Sequence, residues 1–257
     1  MIRLREKDRS EVVRVINVNP TLNLFFMGDL NAYGFDDDYC KYFGFFEGDK
    51  LKTLMLHYSD SFHITGEKIT EQECAIIRQY VIDNDIARMN FGSNFTEFKD
   101  KLMVDYVDET CQLAVYTPSV EMDTTGVELV TVEDAVEFND VQSEIFDMKR
   151  DIEKVKQNIE TKEVIGYLIR ENGKIVSVAS ATAFTDKAAM IVGVGTLDEY
   201  RQKGYASKCV KKLCDYLYAN GQKGVLFYNN PKAGRIYHRL GFEDQEVYHL
   251  FRINLSK

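Results

Sequence analysis

The chemistry in this chain is concentrated between Arg201 and Leu240. That stretch holds nine Lys or Arg residues and one acid, Asp215, in a chain whose formal net charge is −9. A cationic block on an acidic protein points to an anionic ligand held at one place. The block opens on Arg201-Gln202-Lys203-Gly204-Tyr205-Ala206-Ser207, a turn that leads straight into a helix. Gly204 permits a positive φ or the close approach of a ligand. The N–H groups of Lys203 to Ser207, at the positive end of the helix dipole, are then expected to face a phosphate.

The helix after Gly204 is expected over Tyr205–Ala219, ended by Asn220-Gly221. Ala206, Val210, Leu213 and Leu217 fall on one face at helical spacing. Lys208, Lys211, Lys212 and Asp215 fall on the other, which reads either as solvated surface or as part of the anion site. A second, shorter helix has Asn230 as its cap, Pro231 at its first position and Gly241 as its stop. Ala233, Ile236, Tyr237 and Leu240 form one face of it. Upstream, the strand Ala188–Leu197 contains Gly193 and Gly195, which fit a bulge or a close backbone approach.

The remaining elements of the second half follow from period and punctuation. Thr131 caps a helix from about Val132 to Phe146, with Asp134 three residues on, and a second helix covers about Arg150–Ile159. Strands are expected at Val127–Val130, Val164–Arg170, Lys174–Phe184, Val225–Tyr228 and Val247–Asn254. Glu171-Asn172-Gly173 makes the first hairpin turn. The pattern is mixed α/β. The stretch TPSVEMDTTG, residues 117–126, shows no periodicity and marks a boundary, giving domains 1–120 and 121–257. Gly44–Leu51 echoes Gly166–Ile175 at an offset of 122 residues, about half the chain, which suggests a tandem pair. The first copy has a helix at about Thr70–Asp83 with no phosphate turn before it.

Two motifs in this order resemble the GNAT superfamily of acyl-CoA-dependent N-acetyltransferases. Its R/Q-x-x-G-x-G/A signature is matched by Arg201, Gly204 and Ala206. Its N-x-x-A-x-x-[LI]-Y-x-x-x-G-F run is matched by Asn230, Ala233, Ile236, Tyr237, Gly241 and Phe242. The resemblance is close over Val127–Lys257 and rests on the hairpin alone in the first half. It implies two tandem GNAT-like domains, the first degenerate, on a mixed α/β sheet. It also implies acetyl-CoA as cosubstrate, with the pyrophosphate on Arg201, Gln202, Lys203, Gly204, Tyr205, Ala206 and Ser207. The pantetheine arm is implied along Val194, Gly195, Thr196 and Leu197, with Asn230 and Ala233 nearby. A backbone N–H near Val194–Thr196 would stabilise the oxyanion.

Tyr237 matches the family's general acid, which protonates the departing thiolate. Its other reading is a packed tyrosine with a hydrogen-bonded hydroxyl. One departure stands out. Family members that use a Glu base carry it on the strand matching Lys223–Tyr228, and here that strand is apolar. The base is left open between a water chain and an acid such as Glu144 or Asp147. The expected reaction is acetyl transfer to a small-molecule or peptide amine. The alternative is a non-catalytic acyl-CoA-binding module.

Composition excludes several other classes. Five cysteines without a C-x-x-C pair read as reduced thiols, and four histidines without ligand spacing speak against a metal. The acidic balance speaks against nucleic acid. The charged start MIRLREKDRS is neither a leader nor an anchor, and no stretch nears the ~20 apolar residues of a membrane span. A cytoplasmic protein is expected, of unspecified oligomeric state.

Overall fold

In the computed structural model, residues 1–102, 105–148 and 150–254 are described. Contacts divide the chain into two compact units. The first holds Met1–Leu113, Phe227–Asn229 and the chain from Asp244 onward; the second holds Ala114–Leu226 and Asn230–Glu243. The contact break after Leu113 lies a few residues before the aperiodic 117–126 stretch, and the first unit is not continuous in sequence.

The first unit begins with β1 (Ile2–Arg3), α1 (Arg9–Ile16) and α2 (Leu24–Tyr33). β2 (Cys40–Glu47), β3 (Lys50–Tyr58) and β4 (Ser61–Gly66) form an antiparallel meander. α3 (Glu71–Asp83) then crosses over to β5 (Arg88–Gly92), which lies parallel to β4. α4 (Lys99–Leu102), β6 (Tyr106–Asp108) and the first half of β7 (Cys111–Tyr116) complete the N-terminal run. Aromatic and β-branched side chains build the core, with Phe62, Phe91, Phe95 and Phe251 fully buried on one side of the sheet. Each such side chain contributes on the order of 1.5–3 kcal/mol by leaving water.

The second unit repeats this plan. β8 (Val127–Leu129), α5 (Ala135–Phe146) and α6 (Ile152–Glu160) precede the meander β9 (Ile165–Glu171), β10 (Lys174–Thr182) and β11 (Ala188–Thr196). α7 (Tyr205–Ala219) crosses over to β12 (Lys223–Tyr228), parallel to β11. α8 (Pro231–Leu240) follows, and then β13 (Phe242–Ile253). From Asp244 on, β13 belongs to the first unit, where it pairs with β5 and β6. The order helix, helix, three-stranded meander, helix, parallel strand thus occurs twice. The hairpin echo at Gly44 and Gly166 is the visible remnant of that repeat.

Boundaries shift at some elements. α5 starts at Ala135, not Val132. The Asp134 carboxylate turns back to the Thr131 backbone N–H and hydroxyl, at 2.8 and 2.9 Å, so 131–134 is a turn that delays the helix. α6 starts after Asp151, whose side chain accepts from the N–H groups of Glu153 and Lys154. β10 ends at Thr182 rather than Phe184, because Ala183 adopts φ +52° and breaks the strand. β13 starts five residues before the expected Val247. α7 and α8 lie where capping chemistry placed them.

Candidate functional site

The second unit builds its site from three elements. The first is a bulge in β11. Val178 pairs with Gly195 and Ser180 with Val192, so one residue of β10 opposes Gly193 and Val194 together. Gly193 takes φ +60°. A Cβ there would stand 2.6 Å from the Gln142 side-chain amide, and one at Gly195 would stand 2.7 Å from Ile145. Glycine is therefore required at Gly193 by backbone angle and at both positions by space. The parallel pairing of β11 with β12 spans only Ala188–Met190 against Lys223–Val225 among the described residues. Past Met190 the strand is free to part from its neighbour.

The second element is the turn into α7. Gln202 and Gly204 both take positive φ, +67° and +79°. Gly204 is the cap of α7 and supplies no side-chain oxygen, and no acid stands in the first turn of that helix. The first N–H groups of an α-helix have no intrahelical partner, and here they stay available to a ligand. Nothing lies within 4 Å of where a Gly204 Cβ would be. The turn opens on a cavity of about 480 Å³ lined by Met122, Asp123, Gly204, Ser207, Lys208, Ile236, Arg239 and Leu240. Its size and its donors fit a phosphate-bearing ligand of small-molecule size.

The third element is α8. Asn230 accepts from the Lys232 N–H at 2.9 Å and so caps the helix as expected. Gly241 ends it at φ +100°, where a Cβ would strike the Thr117 carbonyl at 2.5 Å. Tyr237 is half-buried, edge-on to Phe242 at 5.6 Å, and burial pushes its phenol up from the usual value. It thus holds its proton at neutral pH.

The cationic block differs from its sequence appearance. Lys211 does not lie on a solvated face; it is 7% exposed and donates to Asp215. Arg201 pairs with Asp198 at 2.6 Å and donates to the Thr196 carbonyl at 3.2 Å. Lys203 pairs with Glu171 at 2.9 Å, and Lys208 with Asp123 at 3.6 Å. Bonds from Tyr205 and Lys203 hold the Glu171 carboxyl below the usual range. Four of the nine cations therefore already have a carboxylate, three of them from outside the block. The backbone turn, more than free side-chain charge, distinguishes this end of α7.

The structure brings Val194, Gly195, Thr196 and Leu197 together on the bulged strand and its exit. The Ser177 hydroxyl ties that exit to β10, donating to the Gly195 carbonyl at 2.9 Å and lying 2.8 Å from the Thr196 hydroxyl. Ala233 is half-buried on α8. Glu144 and Asp147 are exposed at the end of α5, away from its buried face. The residue that stands at the bulge instead is Gln142, which sequence reading missed. It is 3% exposed, accepts from Arg150 at 2.6 Å and reaches the Ser180 hydroxyl at 3.4 Å. Its signal in the sequence is faint: a polar residue four positions after Phe138, on a helix face that also carries Asn139. Among the described residues no cluster of His, Cys, Asp or Glu could hold a metal. None of their helices is long and apolar enough to cross a membrane.

The first unit has the same plan without this apparatus. The β3–β4 register runs unbroken from Thr53/Gly66 to Tyr58/Ser61, so there is no bulge. At the start of α3, Thr70 accepts from the Glu73 N–H, and Glu73 accepts from the Thr70 N–H. Glu71 and Glu73 place two acids at the helix end where a phosphate would need donors.

Comparison with known proteins agrees with this architecture. The sequence profile described as GNAT acetyltransferase matches residues 39–251. A GNAT-family acetyltransferase from Colwellia psychrerythraea superposes with TM-score 0.63 at 13% identity, covering 98% of this chain and 99% of that one. A tandem GNAT protein from the clavulanic acid biosynthesis pathway gives 0.61 at 12% identity, covering 100% and 99%. A GCN5-related N-acetyltransferase from Kribbella flavida gives 0.61 at 17%, covering 79% and 87%. No curated protein sequence matches the chain.

Proposed function

The chain belongs to the GNAT acetyltransferase family, and on that premise we propose that its second unit transfers an acetyl group from acetyl-CoA to an amine. The observation that carries this reading is the pairing of two devices in one unit: a glycine-lined bulge in β11 and, after it, an αL-initiated helix whose own first turn carries no acid. A merely structural crossover needs neither, and the first unit, with the same crossover, has neither.

In this reading the amides of Lys203 to Ser207 hold the pyrophosphate of coenzyme A, and the cavity beside Lys208 and Arg239 takes the nucleotide end. The arm of the cosubstrate lies along Val194 to Leu197, where β11 is free of β12. An N–H of the bulge donates to the thioester oxygen as charge builds there. The neutral amine attacks the carbonyl carbon, the C–S bond breaks, and Tyr237 gives its proton to the leaving sulfur. Gln142 fixes the floor of the bulge through Arg150 and Ser180. The amine's proton leaves to water, since β12 offers no carboxylate.

A second reading, acyl-CoA binding without transfer, is favoured by that missing carboxylate. One experiment separates the two: release of free thiol from acetyl-CoA, followed with and without a panel of small amines and lysine peptides. Amine-dependent thiol release supports transfer. Tight CoA binding with no release above the amine-free rate would leave only the binding module.

A further inference from the structure

The first unit, although it lacks the phosphate turn, contains a cavity of about 780 Å³. That is a common size for small-molecule pockets (~300–1,000 Å³). Phe25 and Tyr58 give it aromatic walls, and His63 and Asn90 line its interior. His63 is 9% exposed and lies 3.3 Å from the Asn90 amide. Three carboxylates and two guanidinium groups also face the space. Asp60 is taken by Arg88 at 2.6 Å, and Glu109 by Arg252 at 2.6 Å. Asp29, on α2, has no hydrogen bond or ion pair among the described residues. Charge in the cavity is therefore balanced except for one carboxylate.

We infer that this cavity is a binding site for a small amine, held as its ammonium ion by Asp29 with its apolar body against Phe25 and Tyr58. A desolvated carboxylate without a cation is costly to a fold and is relieved by a charged ligand. Ring faces add attraction for an ammonium group. An anionic ligand finds both arginines already engaged. His63 cannot be the counter-ion near neutrality, because burial pushes it down to about 4. The inference concerns the first unit alone and stands whether or not the second unit transfers acetyl groups.

The pH dependence has a definite sign. Burial pushes the Asp29 carboxyl up to about 6, so it ionises between pH 5.0 and 7.5. The groups its charge reaches keep one protonation state over that range. Cys40 and Tyr42 on β2 are pushed up by burial, and Tyr33 by its bond to Tyr58. The Arg88 bond holds Asp60 below the usual range. Ammonium binding should strengthen about tenfold from pH 5.0 to 7.5.

The test is calorimetry on the full chain with phenethylamine, 2-phenylethanol and 3-phenylpropanoate as probes. The expected result is binding of the amine alone, about tenfold weaker at pH 5.0. Asp29→Asn should weaken it at least tenfold at pH 7.5 and remove the pH dependence, with the melting temperature reporting that the variant is folded. Should the variant fail to fold, the wild-type pH series and the alcohol comparison decide. No amine binding at 10 mM, on the order of the weakest pocket affinities, overturns the inference. So does binding that ignores pH, is matched by the alcohol, or survives in folded Asp29→Asn.

Discussion

Tyr237 sits where a catalytic and a structural role make different demands on one atom. Its hydroxyl is raised above the usual tyrosine value by burial, which keeps the proton in place for transfer. A thiol near pKa ~8.5 is the stand-in for the leaving group. Tyr237→Phe removes the hydroxyl and retains the ring against Phe242. If the phenol is the acid, kcat falls by ~10² or more and KM for acetyl-CoA changes little. If it only packs, stability falls by ~1 kcal/mol and kcat stays near wild type. Measuring kcat and the melting temperature on the same variant separates the two outcomes.

At the scale of elements, the bulge in β11 makes the sharpest demand. Gly193→Ala must hold alanine at φ +60° and push a methyl toward the Gln142 amide, which Arg150 holds in place. The left-handed angle alone costs about 1–2 kcal/mol. Denaturant unfolding should show at least that loss, together with weaker acetyl-CoA binding. An unchanged midpoint would mean that the strand relaxes into regular pairing and the bulge is not a fixed feature. The elements proposed to carry the chemistry were also the most legible ones. Gly204, Asn230, Pro231 and Gly241 are backbone signals with local causes, and α7 and α8 lie where those signals put them. Lys211 was misread because helical spacing shows Asp215 four residues on but not the burial of the lysine itself. Gln142 was passed over for a similar reason: its partners, Arg150 and Ser180, come from other elements. The ion pairs that neutralise much of the cationic block reach to Asp123 and Glu171, far away in sequence. Sequence spacing carries no information on such contacts.

At the scale of the whole molecule, the repeat is plain in topology and faint in sequence, because a duplicated fold needs only its hydrophobic pattern to persist. The division into units is not linear, since β13 from Asp244 belongs with β5 and β6. A fragment of residues 121–257 would carry that strand without its partners. It would also lose Ala114–Val120, including the Thr117 N–H bond to the Gly241 carbonyl at 2.9 Å. We expect it to lack a cooperative thermal transition by circular dichroism. A fragment melting like the full chain would show that the second unit is self-sufficient.

The central claim is that the turn after β11 holds the phosphates of coenzyme A. Gly204→Asp tests it at a position with nothing within 4 Å of the new Cβ, although the positive φ will cost some stability. The carboxylate would stand where the proposal puts the phosphate, at the positive end of α7. Calorimetric titration of CoA into wild-type and folded Gly204→Asp protein should show at least a tenfold loss of affinity, ~1.4 kcal/mol. Equal affinity in the two proteins would contradict the account.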